Sequence, residues 1–242
     1  MRSLPFVFIL SLVATSANAQ TLDLGALSYQ GAPAAGRIVQ VVALLSVLSI
    51  APSLLVMTTS FTRLVVALSF LRSGLGLQTT PANIVMVSLA LFMTFFVMGP
   101  TFDKAWRDGV KPALENKITE GEAFEKIVDP FRDFMTKNVR EKDVALLDGL
   151  ANVSIKERTD GKIDLRILIP AFMMSELRRG FEIGFLIALP FLVIDMVVAT
   201  LTMAMGMMML PPSVIALPIK ILFFVLIDGW SLLVGSLIRS YG

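Results

Sequence analysis

Residues 183–238 read IGFLIALPFLVIDMVVATLTMAMGMMMLPPSVIALPIKILFFVLIDGWSLLVGSLI, with only Asp195, Lys220 and Asp228 charged. An apolar α-helix needs about 20 residues to cross a hydrocarbon core of about 30 Å. The stretch supplies two such arms, from about Ile183 to Leu210 and from about Val214 to Ile238. Pro211-Pro212 between them permits only a tight turn, so the two arms form a helical hairpin. Pro190 and Pro218 are expected to kink their arms unless neighbouring helices satisfy the freed carbonyls. The whole 242-residue chain is 55% hydrophobic and 17% charged. Soluble domains are about a quarter charged, so the composition argues against an ordinary soluble enzyme.

Upstream of the hairpin the charges crowd together. Of the 40 Asp, Glu, Lys and Arg residues, 26 fall between Asp103 and Asp164. This polar module has Phe124, Ile127, Val128, Phe131 and Phe134 at helical spacing, with an interruption expected near Pro130. Val144 to Leu150 reads as another short helix. About 60 residues hold little core of their own, so the module should pack on its neighbours. Before it lie two uncharged runs, 38–62 and 73–102, linked by a segment carrying Arg63 and Arg72. Pro52 bends the first run. The second should start its helix near Thr80-Pro81 and stop by Gly99-Pro100.

The N-terminus has the plan of a secretory signal peptide. Arg2 is followed by the short apolar run Leu4 to Val13 and the small-residue site Ala17-Asn18-Ala19. The mature chain should then begin at Gln20. The expected organisation is a signal peptide (1–19), a leader and first hairpin (20–102), the polar module (103–164), and a helix with the second hairpin (165–242). The fold class is all-α membrane protein, two apolar hairpins flanking a polar, mainly helical extracytoplasmic module. Arg63 and Arg72 lack acidic companions in their segment, which favours a cytoplasmic connection and places the module outside.

Several chemistries are absent from the composition. Without Cys or His there is no thiol nucleophile, disulfide, Cys/His zinc site or histidine acid–base pair. A net charge of +2 with no basic run gives no basis for nucleic-acid binding. What remains unusual is charge inside an apolar hairpin, where it normally faces protein or water. At 1.5 Å per residue, Asp195 and Asp228 lie about 24 Å from the Pro211-Pro212 turn and Lys220 about 12 Å. That mismatch argues for Lys220 pairing with a carboxylate of an adjacent subunit, the three charges fixing how hairpins dock. A proton relay through the two Asp has only two stations. Met203, Met205, Met207, Met208 and Met209 crowd the turn. They read either as ordinary core or, with several copies around an axis, as a deformable seal.

Two longer motifs add an identity. Residues 170–185, PAFMMSELRRGFEIGF, and Pro218-Ile219-Lys220 followed by Asp228-Gly229-Trp230 closely resemble the signatures of the FliP family. They are carried by Pro170, Phe172, Glu176, Gly180, Phe181, Gly184, Pro218, Gly229 and Trp230. The signal peptide, the hairpin–module–hairpin order and the Met-rich turn are similar too. The resemblance implies a core component of the flagellar type III export gate, or of its virulence-secretion counterpart. It implies an inner-membrane protein of the flagellar basal body, with the module on the periplasmic side. Its partners would be further copies of itself, FliQ, FliR, other export-apparatus membrane proteins and unfolded export substrates. It implies no cofactor and no catalytic residue. It further implies a methionine gasket, mapping onto Met205, Met207, Met208 and Met209, and hairpins raised out of the bilayer plane on assembly. An ion channel or secondary transporter is the rival reading, and an intramembrane enzyme a weaker one.

Overall fold

The computed structural model describes residues 42, 45–46, 49–50, 52–77, 79–151, 162–206 and 211–242. The expected signal peptide with its cleavage site, and Met207, Met208 and Met209, lie outside the described residues. The chain divides into two units, residues 1–51 and 52–242. Among the described residues of the second unit the regular elements are all helical: α1 (Phe61–Gly74), α2 (Asn83–Lys104), α3 (Lys111–Leu114), α4 (Glu120–Asn138), α5 (Glu141–Leu150), α6 (Leu165–Ala204), α7 (Pro212–Leu226) and α8 (Gly229–Arg239).

The longest elements are α6, with 40 residues, and the run Asn83–Leu114, with 32. Both are long and apolar enough to cross a membrane, and two bent helix pairs could each add a span. α6 corrects the sequence reading. The arm expected from Ile183 to Leu210 is the second half of one helix that starts at Leu165 and ends at Ala204. It passes through Pro170 and Pro190. A proline removes one intrahelical bond, but the remaining turns and the packed neighbours hold the helix. At about 60 Å, α6 is twice the thickness of a hydrocarbon core. Its first half carries Arg166, Glu176, Arg178, Arg179 and Glu182, whereas Ile183 to Ala204 holds only Asp195.

The other boundaries shift for local reasons. α2 is capped by Ala82, without a side-chain bond, so the Thr80-Pro81 start is displaced. It also continues beyond Gly99-Pro100 to Lys104, then through a π-helical stretch, Ala105–Val110, into α3. The Val214–Ile238 arm breaks at Ile227-Asp228, where α7 and α8 meet at 65°, while α7 runs through Pro218. Pro52–Thr58 and α1 meet at 80°, so the described bend falls at Thr59-Ser60. The interruption expected at Pro130 is absent and Phe124 is exposed.

α1 lies along α6 and forms the main core. Leu64, Ala67, Leu68 and Leu71 pack with Met86, Ala90 and Met93 of α2, Phe191 of α6, Phe224 of α7, and Leu233 and Leu237 of α8. The polar module packs on the first half of α6. Met135 of α4 meets Leu168 and Phe172, and Val144 of α5 meets Ile167 and Ala171. Ser175 ties the same surfaces, accepting from the Arg140 N–H at 3.0 Å and donating to Asp143 at 2.6 Å.

α4 opens with a capping box. The Thr119 hydroxyl accepts from Glu122 N–H at 3.4 Å, and the Glu122 carboxylate accepts from Thr119 N–H at 3.0 Å. The Thr119 bonds, backbone first, hold the Glu122 carboxyl below the usual range. Thr119→Ala is expected to destabilise the start of α4 by about 1 kcal/mol. Glu122 contributes above its unfolded pKa and loses that contribution as pH falls through the depressed folded value. Exchange protection of the Thr119 and Glu122 N–H groups, taken relative to their intrinsic rates at each pH, should therefore fall in acid in the parent chain, and less so in Thr119→Ala.

Candidate functional site

Two basic side chains in apolar helices determine the interior, and neither points where the sequence placed it. Arg63 is buried, and its Nε donates to Oε2 of Glu176 at 3.1 Å. Nη2 donates to Oε1 of the same carboxylate, completing a two-pronged pair. Nη1 donates to the Ser240 carbonyl at 2.9 Å and to its hydroxyl at 3.0 Å. The guanidinium lies 3.7 Å over the centroid of the Tyr241 ring, and the Tyr241 hydroxyl donates to Glu176. All of the Glu176 side chain is inside the protein. One cluster thus locks α1, α6 and the residues after α8. A buried pair persists when its remaining lone pairs and protons are also satisfied, and here the serine and tyrosine do that.

Arg63 is therefore not a free loop charge, and it drops out of the orientation signal. Arg72 donates to Asn83 Oδ1 across the connection between α1 and α2.

The second site is Lys220. It is buried, and its Nζ donates to Asp195 Oδ2 at 2.6 Å and to the Gly74 carbonyl at 3.0 Å. The expected pairing with another subunit is thus corrected: Lys220 finds its carboxylate within the same hairpin. The depth estimate failed because it counted helix up to Leu210. From the true end at Ala204, Asp195 is about 13 Å back along α6, and Lys220 is about 12 Å along α7 from Pro212. Asp195 remains 42% exposed and Asp228 is exposed, so of the three only Lys220 is buried.

Met205 caps the end of α6, its N–H bonding to the Leu201 carbonyl at 3.0 Å, and its side chain is exposed. Gly206 follows with φ +73. Among the described residues, no group of His, Cys, Asp and Glu could hold a metal ion.

Residues 44–237 match the FliP family. The chain is 63% identical over 207 residues to the flagellar biosynthetic protein FliP of Rhizobium meliloti (strain 1021), covering 84% of each. It is 56% identical over 248 residues to that of Agrobacterium fabrum (strain C58 / ATCC 33970), covering 100% of this chain and 99% of the relative. Against that of Bacillus subtilis (strain 168) it is 49% identical over 203 residues, covering 84% and 91%. The chain belongs to the FliP family.

The FliP signature residues acquire physical reasons here. Glu176 is the acid of the buried cluster. Gly180 and Gly184 let α1 approach α6: a Cβ would fall 3.0 Å from Val66 Cβ at the first and 2.6 Å from the Phe70 ring at the second. Phe181 meets Phe70 edge to face at 5.4 Å. Phe172 is buried between α4 and α6, edge to face with Phe134. Pro170 and Pro218 sit inside their helices. Gly229 passes flat against Phe224, and Trp230 meets the same ring edge to face at 5.4 Å. Sequence reasoning missed the roles of Arg63, Ser240 and Tyr241. The available signal was Arg63 itself, an arginine in an apolar helix with Glu176 in another.

Proposed function

We propose that the chain is a non-enzymatic subunit of the flagellar protein-export gate, seated in the bacterial inner membrane. With further copies of itself, FliQ, FliR and other export-apparatus membrane proteins, it lines a passage for unfolded flagellar substrates. The polar module lies on the periplasmic side. The observation that carries this reading is FliP membership joined to the state of the second half of α6. Its interior contacts are satisfied, yet Phe185, Leu186, Val193, Met196, Val197 and Leu201 stay exposed. Such a surface suits lipid or neighbouring chains, not water. The relatives' name, flagellar biosynthetic protein FliP, favours the flagellar over the virulence system. Deleting the gene in a flagellated host should abolish secretion of hook and filament subunits into the medium, and the gene on a plasmid should restore it. Secretion undiminished by the deletion would overturn the reading.

The same proposal makes Met205, Met207, Met208 and Met209 the closed gasket. Methionine side chains close an irregular gap and yield when a chain passes, because each has three rotatable bonds. Replacing Met207, Met208 and Met209 by Ala removes bulk without adding polarity. Assembled complexes carrying the three changes should leak small dyes across the membrane. Complexes that assemble and stay tight would refute the gasket.

A further inference from the structure

Among the described residues, nothing pairs with Asp228. It stands at the N-cap position of α8, where aspartate usually accepts a bond from the following N–H groups. Here its backbone is left-handed, φ 51° and ψ 51°, and the carboxylate makes no such bond. The corner itself is accounted for by the next residue. A Cβ on Gly229 would fall 2.2 Å from the Phe224 ring, so the backbone can pass there only as glycine. At position 228 glycine would adopt the left-handed conformation without steric cost.

Aspartate is therefore unfavourable twice at this corner. It holds a side chain in a backbone region that suits glycine, and it carries a charge between the exposed Val225, Leu226 and Trp230. Among the described residues its carboxylate has no ion pair or hydrogen bond. Lys220, the cation of the same hairpin, is taken by Asp195 and the Gly74 carbonyl. The hairpin thus consists of one neutral pair and one uncompensated negative charge. In apolar surroundings an ionisable group persists when something pairs with it.

We propose that Asp228 receives an arginine side chain carried on an apolar segment of a neighbouring chain. This rests on the reading of the protein as a subunit of a larger membrane assembly. A guanidinium matches both features of the corner. Its planar fork binds a carboxylate by two hydrogen bonds, and its face stacks on an aromatic ring. Trp230 supplies that ring, holding its edge-to-face contact with Phe224 while 45% of its surface stays open.

The test compares Asp228→Gly, Asp228→Asn and Asp228→Glu with the parent. Each chain is produced in the flagellated host with its natural partners, extracted in mild detergent and resolved on native gels. Each is also produced alone and melted. Asp228→Gly should raise the melting midpoint of the lone chain by relieving the left-handed backbone. It should also lower the yield of the large complex by about 30-fold, the scale for removing one partner of a buried charge pair. Asp228→Asn should lower complex yield similarly without destabilising the lone chain, and Asp228→Glu should recover part of it. Parental yield from the Gly and Asn variants overturns the proposal. So does a lower midpoint for lone Asp228→Gly, which would place the cation within this chain. If the parent itself runs as a single chain beside its partners, the assembly reading fails, and this proposal with it.

Discussion

Replacing Glu176 with alanine is expected to destabilise the chain by about 3–5 kcal/mol, because it leaves the Arg63 guanidinium inside the protein without its counter-charge. The loss extends beyond one pair. Tyr241 gives up one of its two acceptors, and the residues after α8 are then held by the Arg63–Ser240 bonds and the Tyr241–Ser60 bond. Arg63→Ala should cost a similar amount, and the double variant much less than the sum, since both remove one interaction. Combining Arg63→Met with Glu176→Leu should recover most of the stability, because apolar groups of similar volume commonly equal or exceed a buried ion pair. Unfolding midpoints in detergent, with protease sensitivity near residue 240, would check the series. A loss below about 1 kcal/mol for Glu176→Ala, the range of exposed pairs, would show that the cluster is not structural.

Gly184→Ala is expected to cost about 1–3 kcal/mol through overpacking. The added Cβ would lie 2.7 Å from Phe70 Cβ as well as 2.6 Å from the ring, so a rotation of the phenyl group alone cannot relieve it. α1 would have to move away from α6, disturbing the Arg63–Glu176 pair two turns earlier along the contact. Phe70→Ala should cost less in the Gly184→Ala background than in the parent, and that coupling, read from a double-mutant cycle, is the diagnostic result. Independent, additive effects would show that α1 and α6 do not meet at this point.

Much of the architecture was legible because apolar length and proline position are local signals. The helical class, the long apolar helices and the α5 segment followed from them. The signature glycines Gly180 and Gly184 stand where Val66 and Phe70 of α1 come closest to α6. What misled were features decided elsewhere in the fold. Pro100, Pro130 and Pro190 look like helix ends or kinks in isolation, but each lies inside a helix held by its neighbours. Arg63 looks like a topology marker until Glu176 is brought beside it from 113 positions away. The Lys220 pairing depended on where α6 stops, and helix ends are the least local property of an apolar run.

The distance between Arg63 and Glu176 along the chain also sets a clock. Synthesis proceeds at about 5–20 residues per second, so roughly 6–20 s separate the emergence of the arginine from that of its acid. Tyr241, 65 positions beyond the acid, follows later still. During that interval α1 is an apolar helix with a naked cation, and α6 does not yet exist to shelter it. The buried pair between α1 and α6 can close only after that interval.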